Sequence, residues 1–340
     1  MKRIFPGVPC LPALLAAALG LATAGCQQQG SLVGVLATGQ VGVTSIAVDD
    51  FYVYWATQDG EIRKVPSQGG AVQSVATGQS GADNLVVDET HLVWSTGESI
   101  SALAKATGTV STIVANGTVQ RLTTDPTSVY WTVASGDVNA ASKTGAESRA
   151  LATSQSNPLA ISAGAAMVYW ANAVGASTGT NGDPNGGGAV LSVSPSGGVA
   201  ATVLATQDNP VALMTDGAYI YWGNQGDSTN GTVSIAAVDG TNPQTLASNV
   251  AQLHTVVGDG VSVYYSSLDG SVSAVPVSGA AWMTTNQTTV DMAPGTSSTQ
   301  SGTPLILGPA GTVSLAMDAT SLYWANQADL DGAILTMPKL

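Results

Sequence analysis

Few side chains in the 340-residue sequence are of the types that carry acid–base or ligand chemistry. The two histidines are His91 and His254, and Arg121 is one of only nine basic residues. A histidine is the usual general acid or base near neutral pH, and an arginine can hold a carboxylate through two parallel hydrogen bonds. No His-Glu-x-x-His zinc motif and no phosphate-binding loop occurs. These residue types could bind a carboxylate ligand, and they leave little material for catalysis.

The composition limits the classes of partner. Twenty-two acidic residues against nine basic ones give a net charge of −13 and a pI near 4.1. A chain this acidic repels phosphate backbones, so we expect no nucleic-acid partner. With 44% hydrophobic and only 9% charged residues, the chain is suited to a sizeable core and unsuited to a disordered acidic tail.

A sevenfold repeat determines where these side chains lie. In each copy an aspartate, or a glycine in the fourth copy, lies six positions before an aromatic residue that ends a short apolar run. Successive copies are 37 to 59 residues apart, a period typical of the blades of a β-propeller. The copies span residues 49–55, 88–94, 125–131, 164–170, 216–222, 259–265 and 318–324.

Three further positions repeat in phase with this phrase. A branched aliphatic residue lies three positions before the aspartate, a Gly-x-Ile/Val usually follows the aromatic run, and a Leu/Val-Ala pair comes later. Each unit therefore predicts four short strands, A to D, with the aspartate side chain capping backbone donors in the A–B turn. The chain ends on a strand C (332–340), and residues 31–39 match a strand D. We predict an all-β, seven-bladed β-propeller over 31–340, closed by an N-terminal strand D that completes the last blade.

The Tyr-Trp strands followed by Gly-x-Ile/Val resemble the YWTD-type repeats of low-density-lipoprotein-receptor propellers, and they resemble uncharacterised bacterial propeller lipoproteins. The resemblance covers nearly all of the predicted propeller and rests on packing residues, so it implies the fold. No aspartate follows Tyr-Trp-Thr here, and seven units replace the six of the receptor type. Receptor-like ligand binding is therefore not implied.

The first 25 residues have the composition of an export signal. Lys2 and Arg3 precede an apolar run over residues 11–21, and small residues lead to Cys26. The Leu-Ala-Thr-Ala-Gly-Cys ending resembles bacterial lipoprotein signals, which implies removal of residues 1–25 and lipidation of Cys26. An ordinary cleaved signal is the alternative. The other cysteine lies inside the signal, so the mature chain would hold no internal disulfide.

Lipidation of Cys26 would decide which end of the propeller faces the membrane. Residues 26–30 form only a short tether, so the A–B and C–D turns should lie near the bilayer and the B–C and D–A loops should point away. Gln27 after the cysteine resembles Gram-negative lipoproteins of the outer membrane, and a Gram-positive membrane is the alternative. We predict a lipid-anchored protein of the cell envelope.

The start of strand A should line the central channel. The residue four positions before the repeat aspartate is small in most units, and it lies opposite the buried aliphatic position. Arg121 is the exception at this position. It could hold a carboxylate ligand, or it could pair with a neighbouring acid. The candidate ligand-binding residues at the channel mouth are Asp83, Asn84, Arg121, His254 and Thr255.

The outward B–C loops are a second candidate region, because long loops on a rigid scaffold often carry binding groups. Solvated turns that differ only in length are the alternative. We expect no cofactor, since the acidic residues of these loops hint at calcium but lack its full series of oxygen ligands. A Thr/Ser/Gln-rich insertion at 280–303 would either touch the bilayer or a partner, or fold onto the propeller. The candidate loop residues are Asn172, Asn224, Asp227, Asn326 and Asp331.

These observations favour a non-catalytic, membrane-anchored module that binds a protein, glycan or small ligand with its outward face. The alternative is a propeller lyase or hydrolase centred on His254, Arg121 and Asp83. Seven-bladed lyases such as virginiamycin B lyase need a histidine-based acid–base site, and one histidine at the channel mouth supplies little for it. A purely structural envelope component would bind no ligand. The expected partners are the membrane and a protein or glycan.

Overall fold

The computed structural model describes residues 33–115, 117–145, 148–173, 187–277, 303–307, 312–326 and 332–340. In this part of the chain there are 28 β-strands, and no helix is long and apolar enough to cross a membrane. The strands form seven four-stranded antiparallel sheets. The innermost strand of each sheet contacts the innermost strands of both neighbouring sheets, so the sheets stand in a closed ring. The predicted all-β, seven-bladed propeller is confirmed.

Blades 1 to 6 each consist of four consecutive strands, numbered here in chain order. Blade 1 contains β2 (Val43–Val48), β3 (Tyr52–Thr57), β4 (Ile62–Pro66) and β5 (Gln73–Ala76). Blade 2 contains β6 (Asp83–Val87), β7 (His91–Ser95), β8 (Ile100–Ala104) and β9 (Thr109–Val114). Blade 3 contains β10 (Arg121–Thr124), β11 (Ser128–Thr132), β12 (Val138–Ser142) and β13 (Arg149–Ala152).

The next three blades follow the same order. Blade 4 contains β14 (Pro158–Ala163), β15 (Val168–Asn172), β16 (Gly188–Val193) and β17 (Ala201–Gln207). Blade 5 contains β18 (Pro210–Thr215), β19 (Tyr219–Asn224), β20 (Gly231–Ala237) and β21 (Gln244–Val250). Blade 6 contains β22 (Leu253–Gly258), β23 (Ser262–Ser267), β24 (Ser271–Pro276) and β25 (Thr303–Leu307).

Blade 7 joins the two ends of the described chain. Its strands are β26 (Thr312–Met317), β27 (Ser321–Asn326), β28 (Ala333–Pro338) and β1 (Gly34–Thr38). Strand β1 pairs antiparallel with β28, so that the first strand of the described chain forms the outer strand of the last blade. The predicted closure is confirmed, with the strand beginning at Gly34 and residues 31–32 lying outside the described residues.

Aromatic and branched side chains pack between neighbouring blades, and this packing accounts for the repeat. Between blades 1 and 2, for example, Tyr54 and Ile62 meet Leu85, Leu92 and Trp94 in one buried cluster. Burial of each such side chain contributes about 2–3 kcal/mol. A single blade could not bury both of its faces, so the sheets are stable only when arranged side by side.

In the six blades that have a repeat aspartate, this residue holds the A–B turn, as predicted. In blade 3, Oδ1 of Asp125 accepts hydrogen bonds from the amides of Thr127 (2.8 Å) and Ser128 (2.7 Å), and Oδ2 accepts the hydroxyl of Tyr130 (2.6 Å). Burial alone would raise the pKa of Asp125, but these hydrogen bonds outweigh it and lower the pKa. The same amide contacts recur at Asp49, Asp88, Asp216, Asp259 and Asp318.

Lysines connect some of these turns across blade boundaries. Lys143 follows the third strand of blade 3 and donates to Oδ2 of Asp88 in blade 2 and to the carbonyl of Asp125. The corresponding residues of blades 2 and 7 pair in the same way with the aspartate of the preceding blade: Lys105 with Asp49, and Lys339 with Asp259. Three of the four lysines in the described residues therefore bridge neighbouring blades at the A–B end.

Candidate functional site

The candidate residues at the channel mouth line one cavity. It has a volume of about 310 Å³ and lies where the innermost strands of several blades begin. All five predicted residues contribute to it, from blades 2, 3 and 6. Blades 1 and 7 add further hydroxyl groups. The lining residues are Thr44, Ser45, Ile46, Asp83, Asn84, Leu85, Val86, Arg121, Leu122, His254, Thr255 and Ser314.

β-Bulges explain why consecutive residues share this cavity. In six of the seven innermost strands the pairing register shifts by one residue near the strand start. In blade 6, Leu253 faces Ser267 and Thr255 faces Ser266, which leaves His254 as the extra residue. A regular strand turns successive side chains to opposite faces, whereas a bulge can turn both to one side. The bulge therefore brings His254 to the channel together with Thr255.

Several polar groups of the cavity already form hydrogen bonds, either between blades 1 and 2 or within blade 2. Thr44 donates its hydroxyl to the carbonyl of Ala82 at 2.6 Å, and Oγ of Ser45 accepts the amide of Leu85 at 2.9 Å. Asn84 has a left-handed backbone, with φ of 50°, and its Nδ2 donates to Oγ of Ser95 at 3.0 Å. These side chains fix the wall of the cavity and are less available to a ligand.

Among the residues that line the cavity, Arg121 is the best candidate to bind a ligand. Its side chain is exposed, and Nη1 donates to the backbone carbonyl of Gln120 at 2.8 Å. None of the carboxylates that the structure describes lies within ion-pair distance of the guanidinium. Of the two interpretations that the sequence left open, pairing with a neighbouring acid therefore lacks support among these residues. Among the residues that the structure describes, the carbonyl of Gln120 is the only acceptor of a guanidinium hydrogen bond from Arg121.

Asn172 and Asn224, which the sequence analysis placed in the outward loops, are the last residues of β15 and β19, and both take part in a structural motif that the sequence analysis missed. Oε1 of Gln155 accepts hydrogen bonds from Nε1 of Trp170 (3.0 Å) and from Nδ2 of Asn172 (3.1 Å). In blade 5, Gln207 binds Trp222 (2.6 Å) and Asn224 (3.1 Å) in the same way. Asn172 and Asn224 thus support the buried tryptophans. Each of these two asparagines, predicted as a ligand-binding residue, therefore has a structural role.

A fixed spacing would have revealed this motif. The glutamine lies 15 residues before the tryptophan in four units, as Gln40–Trp55, Gln79–Trp94, Gln155–Trp170 and Gln207–Trp222. The repeat glycine also belongs to it. Gly136 has φ of 99°, and a Cβ there would lie 2.4 Å from the carbonyl oxygen of Gln155. A side chain at this position would clash, so a glycine precedes the third strand of this blade.

The other loop candidates are divided between described and undescribed parts of the chain. Oδ1 of Asp227 accepts the amide and the hydroxyl of Thr229, at 3.0 and 2.7 Å, so its carboxylate is used within its own loop. Asn326 ends β27 and is half-buried. Asp331, Cys26 and nearly all of the 280–303 insertion lie outside the described residues. In the described part of the chain, no three histidine, cysteine or acidic side chains are close enough to hold a metal ion.

Of the comparisons with known proteins, the two solved structures with TM-scores above 0.5 support the fold. No protein-family model matches the chain, and no curated protein matches it. A nidogen/laminin complex is 16% identical, with a TM-score of 0.48, over 63% of this chain and 83% of that chain. The computationally designed protein Ika8 is 14% identical, with a TM-score of 0.58, over 90% of this chain and 98% of that chain. Porphyromonas gingivalis PorZ, a surface component of the type-IX secretion system, is 12% identical, with a TM-score of 0.55, over 91% of this chain and 39% of that chain.

Proposed function

We propose that this protein is an exported, membrane-anchored binding module that holds a small carboxylate-bearing ligand at the channel mouth. The observation that carries the proposal is the Arg121 guanidinium, which lines a polar cavity and lies within ion-pair distance of none of the carboxylates that the structure describes, Asp83 of the same cavity included. A ligand carboxylate would accept two parallel hydrogen bonds from it. The hydroxyl of Thr255 and the ring of His254 line the same cavity and could orient the rest of the ligand.

The anchoring part of the proposal rests on Cys26 and on the position of β1. Gly34 begins β1 at the A–B and C–D end of the propeller, opposite to the channel-mouth cavity. The eight residue-to-residue steps from Cys26 to Gly34 span at most about 26–29 Å when fully extended. A lipid on Cys26 would therefore keep the A–B end near the bilayer and leave the cavity facing away. Two resemblances support this proposal. The repeat resembles YWTD-type propeller repeats, and the residues leading to Cys26 resemble bacterial lipoprotein signals.

Two experiments test the two parts separately. The first is titration calorimetry with citrate, malate and galacturonate, in which at least one of these carboxylates should bind. Arg121→Gln should weaken the affinity for that carboxylate by about 10- to 100-fold, because a charged hydrogen-bond pair is lost. Arg149→Gln, which removes an exposed arginine of the same blade, is the matched control and should leave affinity unchanged. Equal affinity in the two variants would contradict the site. For the anchor, Cys26→Ser should move the protein from the membrane fraction to the soluble fraction.

An enzyme centred on His254, Arg121 and Asp83 is the second candidate, because the structure places all three side chains around one cavity. A lyase or hydrolase would need His254 as its general acid or base. His254→Gln should then abolish turnover of any carbohydrate lactone or uronate substrate while leaving ligand affinity largely intact. Unchanged turnover in both His254→Gln and Arg121→Gln would exclude this candidate.

A further inference from the structure

A second and larger cavity opens at the other end of the propeller, between blades 1 and 2. Its volume is about 870 Å³, which lies in the range of small-molecule sites. Its apolar part includes Val75 of blade 1 and Val87 and Leu103 of blade 2. Polar and aromatic groups surround this part: Asp50, Phe51, Tyr52, Lys64, Gln73 and Glu89. The cavity is remote from Arg121 and does not depend on the function proposed above.

Blade 1 departs from the repeat at two places, and both line this cavity. Phe51 and Tyr52 occupy the second and third positions after the repeat aspartate, and only here are both residues aromatic. Lys64 lies opposite Tyr54, the fifth residue after the aspartate. The residues at the position of Lys64 in the other blades are Ala102, Ala140, Ser192, Ile235, Ala274 and Thr336. The other six repeats are an internal control: they pack without an aromatic residue at the position of Phe51 and without a lysine at the position of Lys64, whereas Tyr52 also packs against the buried cluster between blades 1 and 2.

Phe51 offers an open aromatic surface in a fixed position. Its side chain is 71% exposed, although its backbone is held by the hydrogen bond from its amide to Oδ1 of Asp49 at 2.9 Å. Beside it, Nζ of Lys64 lies 4.0 Å from the centre of the Tyr52 ring. The Tyr54 hydroxyl is committed to Oδ2 of Asp49. Phe51 is therefore the ring in this cavity that is available to stack on a ligand.

The charged groups of the cavity fall into two sets. Asp49 and Asp88 accept hydrogen bonds from lysines and from turn amides, so their carboxylates are engaged. Asp50, Glu89 and Lys64 form no ion pair with any residue that the structure describes. The cavity that Phe51 lines thus holds two carboxylate acceptors and one ammonium donor, and none of the three is ion-paired among the described residues, although Lys64 lies over the Tyr52 ring.

We propose that this cavity binds a pyranose unit of an uncharged glycan. A pyranose presents an apolar C–H face, which would lie on the Phe51 ring, and hydroxyl groups that both donate and accept hydrogen bonds. Its hydroxyls would donate to Asp50 and Glu89 and accept from Lys64. An anionic ligand would be repelled by the two carboxylates, and a purely apolar ligand would leave three charged groups unsatisfied.

The test is a titration of the purified full-length chain with cellotriose, maltotriose and chitotriose. Binding is monitored by calorimetry or by saturation-transfer NMR. At least one trisaccharide should bind saturably, and Phe51→Ala should weaken it by about tenfold or more because the stacking surface is lost. Val261→Ala is the matched control, since Val261 is the exposed residue at the same turn position in blade 6 and should not affect binding. Because Phe51 is exposed, its variant should keep the wild-type melting temperature.

Three results would overturn the inference. The first is the absence of saturable binding by all three trisaccharides at millimolar concentration. The second is equal affinity in Phe51→Ala and Val261→Ala. The third is tighter binding of trigalacturonate or spermine than of every neutral trisaccharide, which would assign a charged ligand. Arg121→Gln should leave trisaccharide affinity unchanged, so failure at one site is distinguishable from failure at the other.

Discussion

Replacing Lys143 by methionine tests the bridges between blades. Only 3% of the Lys143 side chain is exposed, and its ammonium binds Asp88 of the preceding blade as well as a backbone carbonyl. Removing one partner of a buried ion pair costs about 3–5 kcal/mol, because the other charge is left buried without compensation. We expect a loss near the lower limit, about 3 kcal/mol, since Asp88 keeps the amides of Thr90 and His91.

The corresponding change in melting temperature follows from the size of the propeller. At about 2.1 cal/mol/K for each residue, the unit from Val33 to Leu340 has an unfolding entropy of about 0.65 kcal/mol/K. A loss of about 3 kcal/mol therefore lowers the melting temperature by about 5 °C. Scanning calorimetry measures this shift. Lys105→Met is a graded control, because the Lys105 side chain is 21% exposed and its pair is less desolvated, so its shift should be smaller.

The dependence on pH separates an electrostatic role from simple packing. Burial alone would raise the pKa of Asp88, but the bond from Lys143 and the turn amides outweigh it and hold the pKa below its ordinary value. A lowered pKa contributes stability that is present above the unfolded value, about 3.9, and is lost as the pH falls through the folded pKa. The deficit of Lys143→Met should therefore be largest near pH 7 and shrink towards pH 3. A shift below about 1 °C at pH 7, or an equal deficit at both pH values, would refute the reasoning.

Two further predictions concern the hydrogen bonds of the repeat. Gln155→Leu should lower the free energy of unfolding in urea by about 2–4 kcal/mol, because Trp170 and Asn172 both lose their acceptor. Gln79→Leu should cost less, because among the described residues Trp94 alone donates to the side-chain oxygen of Gln79. Acid should unfold the wild-type protein cooperatively below about pH 4, since five repeat aspartates have lowered pKa values and their stabilisation is lost on protonation. Equal costs for the two glutamine variants, or unfolding stability independent of pH between 7 and 3, would contradict these expectations.

The fold could be predicted from the sequence because each blade repeats the same packing positions. The aspartate at the A–B turn, the aliphatic residue of the first strand and the tryptophan of the second recur in phase, so seven independent copies point to one architecture. The closing strand was predictable for the same reason, since the region around residues 34–38 has the pattern of an outer strand and the last unit lacks one.

The details of the sites were harder to predict, because they depend on departures from regular strand geometry. Simple alternation would direct Thr44 and Ser45 to opposite faces, whereas the bulge in β2 brings both to the channel. The role of Asn172 depends on the position of Gln155 in another strand connection, a contact visible in the sequence only as a fixed spacing. Likewise, the cavity beside Phe51 is lined by residues of both blade 1 and blade 2, and the repeat pattern of one blade does not show that they meet there.

Every site position described above depends on the closed ring, and a disulfide between β1 and β28 tests the ring directly. Val35 lies opposite Leu335, so Val35→Cys with Leu335→Cys, in a Cys26→Ser background, should form an intramolecular disulfide rapidly and almost completely. Val35→Cys with Ser111→Cys, which places the second cysteine in the outer strand of blade 2, should not. The account predicts a gel shift in the first variant alone. No cross-link in the first variant, or equal cross-linking in both, would contradict the closed propeller.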